Sequence, residues 1–177
     1  INMKKLLLTI ALVSFCFSTN AQFGASLGYG SGKAKISIGG ESMTGDSSGA
    51  FSIGVFYDSE ISEKLDLLTS VGFGIGEKVE DESNNSIGIG VGLQYYPTGK
   101  DGNFFIQPGL GLGFSLANVD TDFIKKTVFL GSIGLGVDLS ESFTVIGSYG
   151  TQLSNSSTID GLEIKANSIG ATLQYKF

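Results

Sequence analysis

The chain has 177 residues, with 27 glycines but only 2 prolines, and 11 basic against 17 acidic residues give it a net charge of −6. Every basic residue is lysine and there is no histidine, which removes the commonest general base and metal ligand and disfavours nucleic acid, whose phosphates are held by clustered Lys and Arg. The only cysteine is Cys16, so there is no disulfide framework.

The first element is a leader. Lys4 and Lys5 precede an apolar run over 6–17, and Thr19 and Ala21 follow at the spacing of a cleavage site. A positive start, a short apolar stretch and small residues make a secretory signal peptide over 1–21, with Met3 as the expected start and cleavage after Ala21. The run is too short to span a bilayer as a helix. Phe15 stands before Cys16, where a lipidated cysteine needs a small residue, so a lipid anchor is not expected. Cleavage removes Lys4, Lys5 and Cys16, leaving a more acidic chain with no thiol.

After Gln22 nearly every segment alternates with period two, the mark of a β-strand with two unlike faces. Eight such segments follow at 23–30, 51–57, 65–76, 87–96, 104–115, 129–139, 143–152 and 168–177. One face is apolar, and the other carries Gly, Ser, Thr and Gln. The Gly-x-Gly strings at 88–92 and 109–113 continue the alternation and open no helix, so they are not dinucleotide fingerprints. The joins at 58–64, 97–103 and 140–142 are short; those at 31–48, 77–86, 116–127 and 154–166 are longer and polar. Short turns at one end and long loops at the other are the pattern of an outer-membrane barrel.

Composition of the polar face separates a membrane barrel from a water-soluble one. A strand face in water should carry Lys, Glu and Thr, partly to block edge pairing. The eight segments hold only Asp66, Asp138 and Lys176 as charges. Glycine weakens a strand unless the space is needed, and a narrow eight-stranded lumen needs it. The aromatics sort to the segment ends: Phe23, Tyr57, Tyr95, Phe104, Phe143, Tyr175 and Phe177 at one, and Tyr29, Phe51, Phe73, Phe114, Phe129 and Tyr149 at the other. That places a girdle at each membrane interface. The expected fold is all-β: a closed antiparallel up-and-down transmembrane β-barrel of about eight strands over 22–177.

Ile169, Ala171, Leu173, Tyr175 and Phe177 alternate up to a terminal aromatic. This stretch resembles the C-terminal assembly signal of bacterial outer-membrane proteins, most specifically at Tyr175 and Phe177. With the stretch 105–111 and the Gly-rich fourth segment, the region 22–177 resembles the porin-family, OmpA/OmpX-like barrel domain. The resemblance implies a Gram-negative cell outer membrane. It implies the barrel-assembly machinery and outer-membrane lipid, including lipopolysaccharide, as partners, and a monomer. No peptidoglycan-binding domain is expected after the last strand. Such barrels serve several functions, so the scaffold does not name the activity. Relatives that act on lipid A resemble His-dependent enzymes, and without histidine a Ser-His arrangement cannot form here; neither an enzyme nor a cofactor is expected.

Asp66, Asp138 and Lys176 fall on the inner face near one end. They are candidates for a charge network closing the lumen, since a buried charge needs a partner. The acidic run from Glu77 to Glu82, and Asp120 with Asp122, lack the ligand spacing of a calcium loop, and no metal site is assigned. The expected function is a structural or surface-interaction role through the long loops; the alternative is a narrow pore. The two turn on whether Phe56, Gln94, Tyr96, Gln107 and Lys176 block the lumen.

Overall fold

A computed structural model describes residues 21–79, 82–117 and 123–177. The expected leader lies outside the described residues except for Ala21, whose backbone opens the first strand. Glu80, Asp81, Asp120 and Asp122 also lie outside them.

The alternating segments form eight strands: β1 (Ala21–Ile38), β2 (Glu41–Ser62), β3 (Leu65–Val79), β4 (Glu82–Tyr95), β5 (Phe104–Ser115), β6 (Thr127–Asp138), β7 (Phe143–Gln152) and β8 (Leu162–Lys176). They pair antiparallel in chain order, and β8 returns to β1 to close the barrel. Closure leaves no open edge within the wall, which lipid would penalise through unpaired N–H and C=O groups. The short joins lie at one end, where a single 3-10 turn, Lys100–Gly102, interrupts the β4–β5 connection.

Two of the expected long loops are instead strand. The stretch 31–48 is the upper part of β1 and β2, joined by the two-residue turn Gly39-Gly40. Both turn residues have positive φ, 59° and 93°, as the hairpin turn that matches strand twist requires. The stretch 77–86 is likewise mostly strand, since β3 runs to Val79 and β4 starts at Glu82. Beyond the membrane neither face needs to be apolar, so a polar composition there is compatible with a strand held by its backbone ladder.

The molecule is inverted relative to a soluble protein. Among the described residues, the buried hydrophobic side chains are Phe56, Leu68, Tyr96, Phe105 and Ile146, all inside the barrel, while most large apolar residues face outward. Phe23 packs on Tyr57, Phe143 on Tyr175 and Tyr175 on Phe177 at the short-turn end; Tyr29 packs on Phe51 at the other. Cross-strand aromatic pairs of this kind stabilise a sheet and form the two girdles.

Inside, large and absent side chains are matched across the ladder. Phe56 is the direct partner of Gly24, and Phe105 of Gly136. A Cβ at either glycine would run into the facing ring. Ser132 faces Gly109 in the same way, where a Cβ would stand 2.8 Å from the serine Oγ.

This matching has a measurable consequence. Gly136→Ala should lower stability by about 1–3 kcal/mol, the usual cost of overpacking, because Phe105 is fully buried and cannot swing aside. Phe105→Leu in the same chain should restore much of the loss. Gly88→Ala meets nothing within 4 Å and should be neutral or slightly stabilising. The temperature at which the folded gel band disappears reports all three; equal loss from Gly88→Ala and Gly136→Ala would contradict the matching.

Candidate functional site in the lumen and above the rim

Alternation along β2, β4 and β5 sends Phe56, Gln94, Phe105 and Gln107 inward, and Tyr96 follows β4 at the same end. Phe105 and Tyr96 stack with centroids 5.2 Å apart. Together with Ile146 they form one buried cluster. Gln94 Nε2 donates to Gln107 Oε1 at 3.1 Å, and Gln94 is fully buried. Phe56 and Leu68 are also buried on the inner wall, outside that cluster. These buried rings and amides occupy the lower part of the lumen as a plug of side chains.

A charged layer lies beneath the plug. Lys176 Nζ stands 2.8 Å from Asp58 Oδ2. Lys100 reaches up from the β4–β5 turn and contacts Asp66 at 2.8 Å and Glu60 at 3.3 Å. Asp138 accepts hydrogen bonds from the Tyr96 hydroxyl at 3.0 Å and from the Thr144 hydroxyl. Burial alone would lower the pKa of the Lys100 ammonium, but its hydrogen bond to Asp66 and the charges of Asp66 and Glu60 outweigh this and hold it above the ordinary lysine range.

The three charges singled out in the sequence thus meet in one layer, each with a different partner: Lys176 with Asp58, Asp66 with Lys100, and Asp138 with Tyr96 and Thr144. Sequence reasoning missed Asp58, although it follows Phe56 by two in the inward parity and could have been found by extending that segment. Lys100 carries no such signal, because a turn residue reaches the lumen only through the fold. The assembly-signal residues Ile169, Ala171, Leu173 and Tyr175 are exposed on the outer face of β8, and Phe177, also exposed, follows its end.

Above the plug the lumen opens into a cup of about 450 Å³, lined by Leu68, Ser70, Gln107, Ser132, Ser148 and many glycines. No charged side chain lines it among the described residues.

Three strands continue beyond the outer girdle as a ribbon. There β1 pairs with β2 up to Ile38↔Glu41 and with β8 up to Ile38↔Leu162. Its inward face carries Ile36, Ile38, Met43, Leu162 and Ile164, and its outward face Lys33, Lys35 and Lys165. The two edges of the ribbon differ. Along β8 the segment 153–161 saturates the edge: Ser156 N and Oγ both donate to Ile164 O, Asn155 Nδ2 donates to Leu162 O, and Ile164 N donates to Asn155 Oδ1. On the β2 side, pairing with β3 begins only at Ala50↔Gly76. Among the described residues, no strand pairs with the outer edge of 41–48.

The model of the outer membrane protein beta-barrel domain family matches residues 6–177. The chain belongs to this family. It is an outer-membrane β-barrel of the Gram-negative type. Among solved structures it is similar to neisserial surface protein A, at 16% identity and a TM-score of 0.52 over 86% of this chain and 97% of that one. It is also similar to Ail, the attachment invasion locus protein of Yersinia pestis, at 14% identity and a TM-score of 0.46 over 87% and 98%. At these identities the likeness is one of fold. No curated protein sequence matches the chain.

In this barrel Lys176→Met should cost about 3–5 kcal/mol, because it leaves the buried Asp58 carboxylate unpaired; an unchanged thermal midpoint in detergent would refute the pairing. Lys100→Met should cost less, since Lys100 is partly exposed and solvent screens it. The Lys100 pKa is raised on folding, so its contribution is complete below the ordinary lysine value and fades as pH rises through the raised one. The gap between wild type and Lys100→Met should therefore close at strongly alkaline pH, as thermal melts across that range would show.

Proposed function

We propose that this outer-membrane barrel is a surface-interaction scaffold that takes up an extended polypeptide along the outer edge of 41–48. The observation that carries this reading is the asymmetry of the ribbon: one edge is sealed by side-chain and loop hydrogen bonds, and the other has no strand beside it among the described residues. An unpaired edge is a template for an added strand. Main-chain bonds supply affinity in such binding, and side-chain pockets on alternate residues supply selectivity. Met43 and Ile38 are well exposed, at 71% and 63%, and give the incoming strand apolar contact on the inward face. The plug supports this reading over a narrow pore, and the absence of histidine supports a non-enzymatic role. The barrel acts as a monomer. Outer-membrane lipid, including lipopolysaccharide, surrounds its apolar wall. The barrel-assembly machinery inserts it through the strand that ends in Tyr175 and Phe177.

Shortening the ribbon tests the proposal. Lys33 and Ser47 are ladder partners, so a two-residue Asn-Gly turn can join them and remove 34–46. The shortened barrel should keep its heat-modifiable gel shift while cells displaying it lose capture of extended peptides from a display library. Equal capture by both forms would reject the edge as the site. In planar bilayers the wild type should show no steady channel, whereas a Phe56→Ser, Phe105→Ser variant should conduct; steady conductance by the wild type would favour the pore.

A further inference from the structure

The edge of 41–48 presents side chains as well as main chain, and their pattern selects among strands. Cross-strand partners share a face of a sheet, so the pairs Ile36↔Met43 and Ile38↔Glu41 set Met43 and Glu41 on the inward face of the ribbon. The register then slips by one residue. Lys33 meets Ser47 and Lys35 meets Thr44, which leaves both Gly45 and Asp46 opposite Ala34, an inward position, as a β-bulge. Glu41, Met43 and Asp46 are all exposed. Along the edge the inward face therefore reads acid, apolar, acid.

The two carboxylates have no counter-charge within the ribbon. Among the described residues neither Glu41 nor Asp46 takes part in an ion pair. The inward positions of the other two strands are Ala34, Ile36, Ile38, Leu162, Ile164 and Ala166, none of them charged. The lysines lie on the opposite face. Lys33 and Lys35 stand there on β1, and Lys165, two strands from the edge, is held by Glu163. The two faces at the edge thus differ in sign.

Main-chain bonding in strand addition is indifferent to sequence, and alternate side chains supply the selectivity. Opposite charges across a strand pair stabilise it, and like charges directly opposite destabilise it. Resting on the strand addition proposed above, we infer that the occupant is a cationic extended segment of another polypeptide, with Lys or Arg beside Glu41 and Asp46 and an apolar residue between them beside Met43. Its other face carries uncharged residues, because Lys33 and Lys35 occupy that side of the neighbouring strand. The same charges disfavour an acidic segment. They also disfavour a second copy of this chain, since antiparallel pairing of 41–48 with itself sets acid against acid across the joint.

Three labelled peptides test the inference on the detergent-solubilised barrel: Thr-Lys-Thr-Val-Thr-Lys-Thr, and the same peptide with glutamine or glutamate in place of both lysines. Fluorescence anisotropy at low salt should show the lysine peptide binding about fivefold tighter than the glutamine peptide, the scale of two exposed ion pairs, and the glutamate peptide binding weakest. The preference should shrink as added salt screens the charges. Glu41→Gln with Asp46→Asn should bring the lysine and glutamine peptides to equal affinity, whereas Glu141→Gln, at the short-turn end, should keep the preference. All three residues are exposed, so the heat-modifiable gel shift should show an intact barrel in each variant. Equal affinity of the wild type for the lysine and glutamine peptides, with both lost when 34–46 is removed, would overturn the charge selection and leave the edge as the site. Peptide binding undiminished by that removal, or no binding to the wild type, would overturn the edge and the charge selection together.

Discussion

The rest of the structure depends on the narrowness of an eight-stranded lumen. Inward side chains from facing strands compete for one small volume, and the chain resolves the competition pair by pair. The two inward phenylalanine rings each have glycine as a ladder partner, Phe56 over Gly24 and Phe105 over Gly136. Where neither side is large, serine faces glycine. Part of the unusual glycine content is therefore a packing solution, in which the missing Cβ at Gly24, Gly109 and Gly136 makes room for an identified facing side chain. The same rule divides the lumen into layers: rings and amides fill the lower part, and glycine and serine leave the upper part open.

Placing the plug low in the barrel has electrostatic consequences. It excludes water from one side of the carboxylates beneath it, which strengthens every charge interaction there. Asp58 and Asp66 are tolerated because Lys176 arrives from the last strand and Lys100 from a turn. These contacts join β8 to β2, and the β4–β5 turn to β2 and β3, so the charged layer ties together parts of the barrel that are distant in sequence. The layer still carries more acid than base.

At the other end the constraint is relaxed. Above the outer girdle no lipid requires an apolar face, and three strands continue as a ribbon. Its two edges have opposite fates, because the β7–β8 segment folds back with Asn155 and Ser156 to satisfy β8, whereas among the described residues no strand pairs with the outer edge of 41–48. The barrel thus anchors a three-stranded projection above the buried rings and amides of the lumen.

Alternation by itself determined the fold class, the number of strands, which residues face lipid, and the two girdles. These are periodic properties, and period two survives whatever the rest of the chain does. The outer-membrane address was legible for the same reason, in the alternate residues from Ile169 to Phe177. The lengths of β1 and β2 were not, because the hairpin outside the membrane is mostly polar, with only a short alternation at Ile36 and Ile38 before the Gly39-Gly40 turn. Nor were the partners of Asp66 and Lys176. Parity placed both residues inside, but a lumen brings together strands at many sequence separations, and a turn lysine can enter it from below. Which charge meets which was decided by barrel closure and register alone.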